Sequence, residues 1–457
     1  MRKFTLLMAF LATTMLSLGA DMSGTYTVGT GGTYATLGAA VTDLNAATIT
    51  GNVVLEIISD LTEPTNIGLC KDFGNYSLII RPDQDVDRII TFTQAGDNGA
   101  SSGNFIIGLS NIALWSSIGT SKNITIDGFA NGGSIRRLTF QNQSTNNNAC
   151  KPIMVLGSTD NINIKNCILL DKTTGSSAFG AFTIRVRVES SVDYIPNNIT
   201  VDNCILSSVS STAAGIAITN SNTPTGRSVG LVFKNNKIEV KHRGISLNYS
   251  GTCSIYNNEI KVNQTTSGMA SFGIGGTSSG LVLTNIYNNR IIQLGTANTA
   301  GGGNGIRGIQ ASGGGTWNIY NNFITGFSTP TTGTTEALGI RVGSASNIYN
   351  NTILINNITT TGAGTTPTAC IVNYSTTCNL ANNILITQED DIASYCIYQS
   401  GTLTSSDYNL LYRNGTTNAK IGYAAGAPQA TLVDWQTAST KDKNSKSVDV
   451  LFTNAAT

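Results

Sequence analysis

Hydrophobic and polar positions recur in a fixed order along this chain. Between residues 254 and 353, four segments place Ile-Tyr-Asn-Asn before a variable residue and a further Ile: Ser254–Ile260, Asn285–Ile291, Asn318–Ile324 and Asn347–Ile353. Degenerate copies extend the array on both sides, and successive copies lie 22 to 37 residues apart. A unit this short cannot bury its own apolar face, so its recurrence predicts coils stacked on one another.

Each copy carries a second apolar segment, in which a small residue precedes Ile and apolar positions then alternate. Examples are Gly215–Thr219, Gly244–Leu247, Gly305–Ile309 and Gly339–Val342. A period of two is typical of strands. The patterns of leucine-rich repeats and propeller blades are not present. The chain is therefore predicted to be all-β, and a right-handed parallel β-helix, a solenoid of short strands, accounts best for the variable period.

The first part of the chain lacks the repeat. Tyr26–Val28 and Val53–Ile58 have the composition of strands, and between them the apolar positions have helical spacing: Leu37, Ala40, Val41 and Leu44. The open first coil of a solenoid needs a cover, because its exposed edge would otherwise pair with other chains. Residues 21–95 are thus predicted to form an N-terminal cap with one short helix and the first strands.

Three further regions complete the predicted organisation. Residues 1–20 have the basic start, apolar run and small-residue end of a secretory signal peptide, which predicts export to the cell surface or medium. Residues 96–413 are assigned to β-helix repeats, and residues 414–457 to a closing segment. No later run is apolar for long enough to span a bilayer, so no transmembrane segment is expected.

The segments Gly24–Gly29, Tyr34–Asn45 and Gly51–Ile57, followed by Asn-Asn-x-Ile repeats, resemble bacterial secreted β-helix repeat proteins of the pectin-lyase-like superfamily. The resemblance covers nearly the whole mature chain. It implies the β-helix fold and a surface location, because many such proteins are exported by a type IX route. Asp434–Ala438 and Asn444–Phe452 resemble the segment that closes such helices. The family usually continues beyond it into a sorting domain, so the closing segment is expected to be truncated.

Composition narrows the range of functions. The chain has 27 basic and 26 acidic residues, and only 12% of its residues are charged. A chain this neutral lacks the basic field that a nucleic-acid partner requires. Its eight cysteines include no CxxC pair, and no metal site or cofactor is predicted.

Two pairs of cysteines, Cys167 with Cys204 and Cys370 with Cys396, occupy equivalent positions in neighbouring coils. Each pair forms either a disulfide or two stacked free thiols, and the sequence does not decide between these alternatives.

Stacking turns repeat positions into columns on the solenoid surface. The Ile of each Ile-Tyr-Asn-Asn motif is predicted to face inward and the tyrosine outward, which aligns Tyr256, Tyr287, Tyr320 and Tyr349. Such a column either stiffens the sheet by ring stacking, serves as a platform for sugar rings, or is covered by a loop. One asparagine of each pair is expected to form an amide ladder between coils, for example Asn257, Asn288, Asn321 and Asn350.

Two arginines are the other candidates for carbohydrate binding. Arg307 and Arg341 both follow the Ile of a Gly-Ile segment, so they are predicted to stand side by side and outward in neighbouring coils. Like charges at that distance repel each other unless the repulsion is relieved. A bound uronate or sulfated glycan, the carboxylate of Glu336, or simple solvation would each relieve it. His242, the single histidine, is predicted to lie in a solvated turn.

These features favour a secreted or surface β-helix with a structural or adhesive role and weak carbohydrate binding. No catalysis and no catalytic residues are predicted.

An enzyme is the alternative function. A glycoside hydrolase would need clustered carboxylates, and the one Asp-Asp pair, Asp390–Asp391, is predicted to lie in a loop. A lyase would need a base and a means to neutralise a uronate, and Arg243, Arg307 and Arg341 are the candidate bases. A polysaccharide lyase or glycoside hydrolase therefore stays the alternative. Ligand identity and oligomeric state are left open.

Overall fold

The computed structural model describes residues 20–94, 103–111, 117–143, 151–173, 182–188, 194–220, 226–264, 270–276, 280–295, 305–328, 336–356, 368–375, 377–388, 393–415 and 417–450. Within these ranges the chain forms 38 strands and two helices. Residues 1–19 of the predicted signal peptide, Cys150 and the Asp390–Asp391 pair lie outside them.

The strands form three long sheets, in which each coil adds one strand to each sheet. Sheet A contains β1 Asp21–Val28, β2 Thr48–Ile57, β5 Leu78–Pro82, β8 Thr120–Asp127, β11 Ser158–Lys165, β14 Asn197–Asp202, β17 Leu231–Lys234, β20 Thr252–Tyr256, β23 Leu283–Tyr287, β26 Thr316–Tyr320, β29 Ala345–Tyr349, β32 Cys378–Ala381 and β35 Ser405–Asp407. Sheet B contains β3 Leu61–Glu63, β6 Arg88–Phe92, β9 Leu138–Asn142, β12 Ile168–Asp171, β15 Ile205–Ser208, β18 Lys237–Val240, β21 Glu259–Gln264, β24 Arg290–Gly295, β27 Phe323–Ser328, β30 Thr352–Ile355, β33 Ile384–Thr387 and β36 Leu410–Arg413. Sheet C contains β4 Ile67–Leu69, β7 Phe105–Ile107, β10 Ile153–Val155, β13 Phe182–Val188, β16 Ala214–Asn220, β19 Arg243–Leu247, β22 Ser271–Gly276, β25 Gly305–Ala311, β28 Glu336–Val342, β31 Thr368–Asn373, β34 Ser394–Gln399, β37 Ala419–Ala424 and β38 Ala427–Gln429.

All pairs are parallel except that of β37 with the last strand, β38. The fold is the right-handed parallel β-helix that the repeats predicted. The strands of the non-repetitive start belong to the same three sheets as the repeats. The core runs along the axis in columns, as in sheet A, where Ile255, Ile286, Ile319 and Ile348 pair in register and are fully buried. The predicted inward direction of these side chains is confirmed.

A glycine column in sheet C sets how closely two sheets approach. A Cβ atom on Gly308 would lie 2.4 Å from Cγ2 of Ile324 in sheet B and 2.6 Å from the carbonyl oxygen of Gly339. Gly244, Gly273 and Gly339 meet the facing isoleucine at the same 2.4 Å. In these four coils glycine is therefore required by packing, because a Cβ atom would collide with the facing isoleucine of sheet B.

At the corner between sheets A and B, the two asparagines of each pair have different structural roles. The first member adopts left-handed backbone geometry, with φ between 56° and 57° at Asn257, Asn288, Asn321 and Asn350, and its side chain is exposed. The second member is buried and forms the amide ladder: the side chain of Asn289 donates to Oδ1 of Asn322, and that of Asn322 donates to Oδ1 of Asn351, both at 3.0 Å. An amide ladder between coils is confirmed, but in the repeats its buried members are the second asparagines. Of the first members expected to form it, Asn257 donates to Oδ1 of Asn235 at 3.3 Å, whereas Asn288, Asn321 and Asn350 lie outside the buried ladder.

Two cysteines occupy the same ladder position in earlier coils. The thiol of Cys204 donates to the carbonyl oxygens of Ile164 and Asp202, as the ladder amides do to equivalent carbonyls, and its backbone N–H donates to Oδ1 of Asn236. Cys167 makes the corresponding thiol contacts. All seven cysteines in the described ranges are free thiols, which resolves the alternative left open by the sequence.

Both ends of the described solenoid are covered. Helix α1, Leu37–Ala46, buries the four apolar residues that predicted it, and the buried carboxylate of Glu63 accepts the N–H groups of Leu37 and Gly38 at its first turn. Helix α2, Leu432–Ser439, begins with a capping box between Thr431 and Asp434. Its Trp435 is fully buried, and the indole N–H donates to Asp442 at 2.8 Å. This second helix was not predicted from the sequence.

Candidate functional site

The tyrosine column, consisting of Tyr256, Tyr287, Tyr320 and Tyr349, lies on the outer surface of sheet A. The four residues pair in register across β20, β23, β26 and β29, as predicted. The rings of Tyr256 and Tyr287 stack with centroids 4.7 Å apart and planes 5° apart, and those of Tyr287 and Tyr320 at 4.9 Å and 2°. The hydroxyl of Tyr349 lies 3.4 Å from Oδ1 of Asn347.

This stacking determines which surface the column offers to a ligand. Parallel stacking covers the ring faces with neighbouring rings, so the edges and hydroxyl groups face outward. Desolvation raises the pKa of Tyr287, and the neighbouring phenols add to the effect. A sugar ring lying along the column would meet a row of phenol edges and hydroxyl groups.

A second, half-buried amide ladder runs beside the tyrosine column. Asn318 donates to Asn285, Asn347 to Asn318 and Asn379 to Asn347, each at 2.9 Å. Together the two columns form an uncharged face on the coils from β23 to β29. Towards the N-terminus the tyrosine position carries charges that pair with each other, as Lys165 does with Asp127 at 3.0 Å and Lys234 with Asp202 at 3.3 Å.

The outer face of sheet C differs from that of sheet A in carrying arginines among aromatic and apolar side chains. The register aligns one column, here called the inner arginine column, from β13 to β31: Phe182, Ala214, Arg243, Phe272, Arg307, Leu338 and Ala369. A second column runs beside it: Arg185, Ala217, Ser246, Gly275, Gln310, Arg341 and Val372.

This register corrects the predicted arginine pair. Arg307 pairs with Leu338, whereas Arg341 pairs with Gln310, so the two arginines lie in different columns. The segment from Gly305 to Ile309 contains two Gly-Ile steps, and the structure aligns the second of them with the Gly-Ile steps of the neighbouring coils. The partner of Arg307 in its own column is Arg243, two coils away.

Arg243 is the most unusual cation of this face. It is partly buried, and its guanidinium carbon lies 5.1 Å from the ring centroid of Phe272. Within the described part of the chain the guanidinium makes no hydrogen bond or ion pair, and its Nε atom is buried. Burial lowers the pKa of Arg243, and the charge of Arg307 lowers it further.

The other two arginines have protein partners. Nη1 of Arg307 donates to Oε1 of Gln310, three residues along the same strand. The guanidinium carbon of Arg341 lies 5.0 Å from the ring centroid of Tyr374. The x-Gly-Ile pattern, in which Arg243, Phe272 and Arg307 each precede the aligned glycine, is the sequence signal that could have identified this column.

Tyrosines continue this face towards the C-terminal end. The rings of Tyr398 and Tyr423 stack at 4.4 Å with a 12° interplanar angle, and Tyr395 meets both of them edge-on. Leu338, Ala369 and Val372 pack with Tyr395 in a small apolar cluster.

His242, next to Arg243, is buried rather than solvated, which contradicts the prediction. It is 4% exposed, and its Nε2 atom lies 3.1 Å from the carbonyl oxygen of Ala270. Burial lowers the pKa of His242 to about 4, with a contribution from the charge of Arg243. The solvated-turn prediction failed because the residue follows the corner into a strand whose two faces are both largely covered.

Across the described residues, no three or more His, Cys, Asp or Glu side chains come together in a group that could hold a metal ion. Neither helix in the described ranges is both long and apolar enough to cross a membrane.

Comparison with known proteins gives little further guidance. No family model matches the chain, and no curated protein matches it. Among solved structures, the chain is similar to PfbA, a surface adhesin of Streptococcus pneumoniae, with 14% sequence identity and a TM-score of 0.37. The match covers 84% of this chain and 87% of that one. A likeness at this level assigns no function.

Proposed function

We propose that this protein is an extracellular, non-catalytic β-helix that serves as an adhesive module of the cell surface and binds acidic polysaccharide through the outer face of sheet C. The observation that carries the proposal is Arg243. Its partly buried guanidinium has no hydrogen-bonding partner among the described residues and stands in one column with a second cation, Arg307.

The physical argument concerns the energy of this arrangement. A buried cation that lacks an anionic partner raises the free energy of the folded protein, and a like charge nearby raises it further. A carboxylate or sulfate group at this face would reverse both effects, because guanidinium binds such oxyanions through two parallel hydrogen bonds. The aromatic rings beside the cations limit their hydration and so strengthen such a contact.

The surface location is part of the proposal. It is supported by the N-terminal residues, which have the order of a signal peptide, and by the repeats, which resemble the pectin-lyase-like proteins exported by the type IX route.

The tyrosine column is proposed as a second, weaker contact for the polysaccharide. Its outward row of phenol hydroxyls and the adjacent amide ladder suit hydrogen bonding to sugar hydroxyls along the solenoid.

A polysaccharide lyase is the second candidate, and one observation favours it. A lyase base has to accept the proton next to the uronate carboxylate, and Arg243 is the candidate for that role because its partly buried guanidinium has no hydrogen-bonding partner among the described residues.

The test is a binding measurement on the secreted chain. Affinity electrophoresis in gels that contain pectate or a sulfated glycan should show retardation that falls with added salt, because the contact is partly exposed. The double variant Arg243→Gln, Arg307→Gln should lose the retardation. The matched control is Arg290→Gln, which removes one positive charge from sheet B, where Arg290 lies 3.7 Å from Glu259; this variant should bind as the unmodified protein does.

Two results would change the proposal. If the double variant and the control bind equally well, the outer face of sheet C is not the binding site. Release of unsaturated oligosaccharides, followed by the ultraviolet absorbance of the new C4–C5 double bond, would replace adhesion by lyase activity. Loss of that absorbance in Arg243→Gln alone would then identify the base.

A further inference from the structure

The outside of sheet A is accessible and uncharged over five consecutive coils, from β20 to β32. Each strand directs two or three side chains outward, as β26 does with Thr316, Asn318 and Tyr320, and on these five strands none of the outward side chains is charged. All of them are at least partly exposed. The corner that follows each strand has only two residues, so the connection to sheet B is too short to fold over this face.

A charged residue that already has a protein partner ends the face on each side. Lys234, which precedes Tyr256 in the tyrosine column, contacts Asp202 at 3.3 Å. At the other end, the carboxylate of Asp407 accepts an N–H of Asn444 at 2.8 Å. An acidic polymer would lose water on this face and gain no cation, which makes the face at best a weak contact for it. An uncharged polymer avoids that cost.

Each rung of the half-buried amide ladder keeps hydrogen-bonding capacity for a ligand. The side chain of Asn318 donates one N–H to Asn285 and accepts one from Asn347, both at 2.9 Å. A primary amide has two N–H groups and two lone pairs. Among the described residues, one donor and one acceptor of Asn318 therefore have no partner, and neither do the hydroxyl groups of Tyr287 and Tyr320. The ladder and the ring stack hold these groups in place before a ligand arrives.

The spacing of the rungs suits a chain of sugars. The ring centroids of Tyr256, Tyr287 and Tyr320 are 4.7 and 4.9 Å apart. The repeat comprises four tyrosines in register and four asparagines in one ladder. Each pyranose of an extended β-linked chain advances by about one strand spacing. Since sugar hydroxyls both donate and accept, each sugar can bond to the rung of its own coil.

The area of the face argues against a second copy of the chain as its occupant. Five strands about 4.8 Å apart, each with outward positions about 7 Å apart, cover roughly 24 Å by 15 Å, or about 360 Å². A stable interface between two proteins buries about 800 Å² on each partner. A linear polymer needs only a strip of the size that is present.

We infer that the outside of sheet A is a separate carbohydrate site, which binds an uncharged β-linked polysaccharide along the solenoid axis with one sugar on each coil. The amides of Asn285, Asn318 and Asn347 bond to hydroxyls on one edge of the sugar chain, and the tyrosine hydroxyls bond to those on the other edge. The inference rests on the proposed function for the tyrosine column as a sugar contact, and it gives that column a ligand class of its own.

Calorimetric titration with cello- and chito-oligosaccharides of two to six sugars tests the inference. We expect the affinity to rise with each added sugar up to the fifth, because the face spans five coils, and to change little with the sixth. Added salt should leave the affinity unchanged, because no ion pair forms. Asn318→Ala, and Tyr320→Phe, which keeps the ring stack, should each weaken binding about threefold to tenfold, as expected for lost neutral hydrogen bonds.

The matched control is Thr200→Ala, which changes the same outward position of sheet A three coils before Asn285 and should bind as the unmodified protein does. If Asn318→Ala loses its fold, Tyr320→Phe and the length series still decide the matter. Equal affinity in the control and in both test variants would overturn the inference. So would dimerisation of the unmodified chain that Asn318→Ala abolishes, because a second copy would then occupy the face.

The two proposals fail in different ways. Retardation by pectate without binding of either neutral series would overturn this inference and leave the proposed function in place. Binding of neither the neutral nor the acidic polymers would overturn both.

Discussion

The buried amide ladder gives the most quantitative prediction for this fold. The side chain of Asn322 takes part in five hydrogen bonds of 3.0–3.1 Å: its amide donates to the carbonyl oxygens of Ile286 and Tyr320 and to Oδ1 of Asn351, and its own Oδ1 accepts the backbone N–H and the side-chain amide of Asn289. The residue is 2% exposed, so water cannot replace these bonds. Asn322→Leu keeps the number and branching of the side-chain heavy atoms and removes all five hydrogen bonds.

The cost follows from the groups left without a partner. The backbone N–H of Asn289 depends most on this side chain, because Oδ1 of Asn322 is its hydrogen-bond partner, and a buried orphan of this kind costs about 1–3 kcal/mol. The side-chain amide of Asn289 and Oδ1 of Asn351 each lose one contact as well, so we expect Asn322→Leu to lower the free energy of unfolding by about 2–5 kcal/mol. The control is Asn318→Ala in the half-buried ladder on the outside of sheet A, where water can reach the side chains and replace the lost amide contacts. It should cost about 1 kcal/mol or less.

Urea unfolding followed by circular dichroism measures both variants. Because a solenoid can open locally, hydrogen exchange of the coils that contain β23, β26 and β29 should accompany it. In Asn322→Leu the loss of protection should be centred on these coils. Equal destabilisation by the two variants would show that burial does not make the corner ladder stronger than the surface one, and the reasoning would fail.

Three further predictions address the core, the glycine column and pH. Ile319→Asp should lower the free energy of unfolding by several kcal/mol because it buries an unpaired charge, whereas Tyr320→Ala should cost about 1 kcal/mol; equal melting temperatures would refute the assigned directions. Gly308→Ala should lower the melting temperature, because its Cβ would lie 2.4 Å from Ile324, while Gly74→Ala, at a position with open space, should show only the cost of its left-handed backbone. The folded-state pKa of His242, about 4, lies below the ordinary value of 6.5, so stability present above pH 6.5 should fall as the pH drops towards 4, by about 3 kcal/mol; His242→Gln should flatten this part of a denaturation series against pH.

The sequence was sufficient for features that depend on local period. The repeated Ile-Tyr-Asn-Asn motif predicted the β-helix, the inward isoleucines and the aligned tyrosines, because residues at one repeat position must stack when coils pair in parallel. Helix α1 was equally readable, since its four buried residues are spaced three or four apart. Helix α2 was not, because in the described structure it buries only Trp435 and Ser439, and one apolar residue gives no periodic signal.

The tertiary structure decided the register and the division of roles between like residues. Gly305–Ile309 offers two alignments by sequence, and the fit of Gly308 against Ile324 selects the one that places Arg307 in the column of Arg243 instead of beside Arg341. Which asparagine of a pair is buried depends on which one adopts left-handed geometry, and both are the same residue type. His242 is polar by composition and buried by position. The sequence by itself determined the coil, because periodicity is local, whereas contacts between coils and sheets determined which cations share a column on its surface.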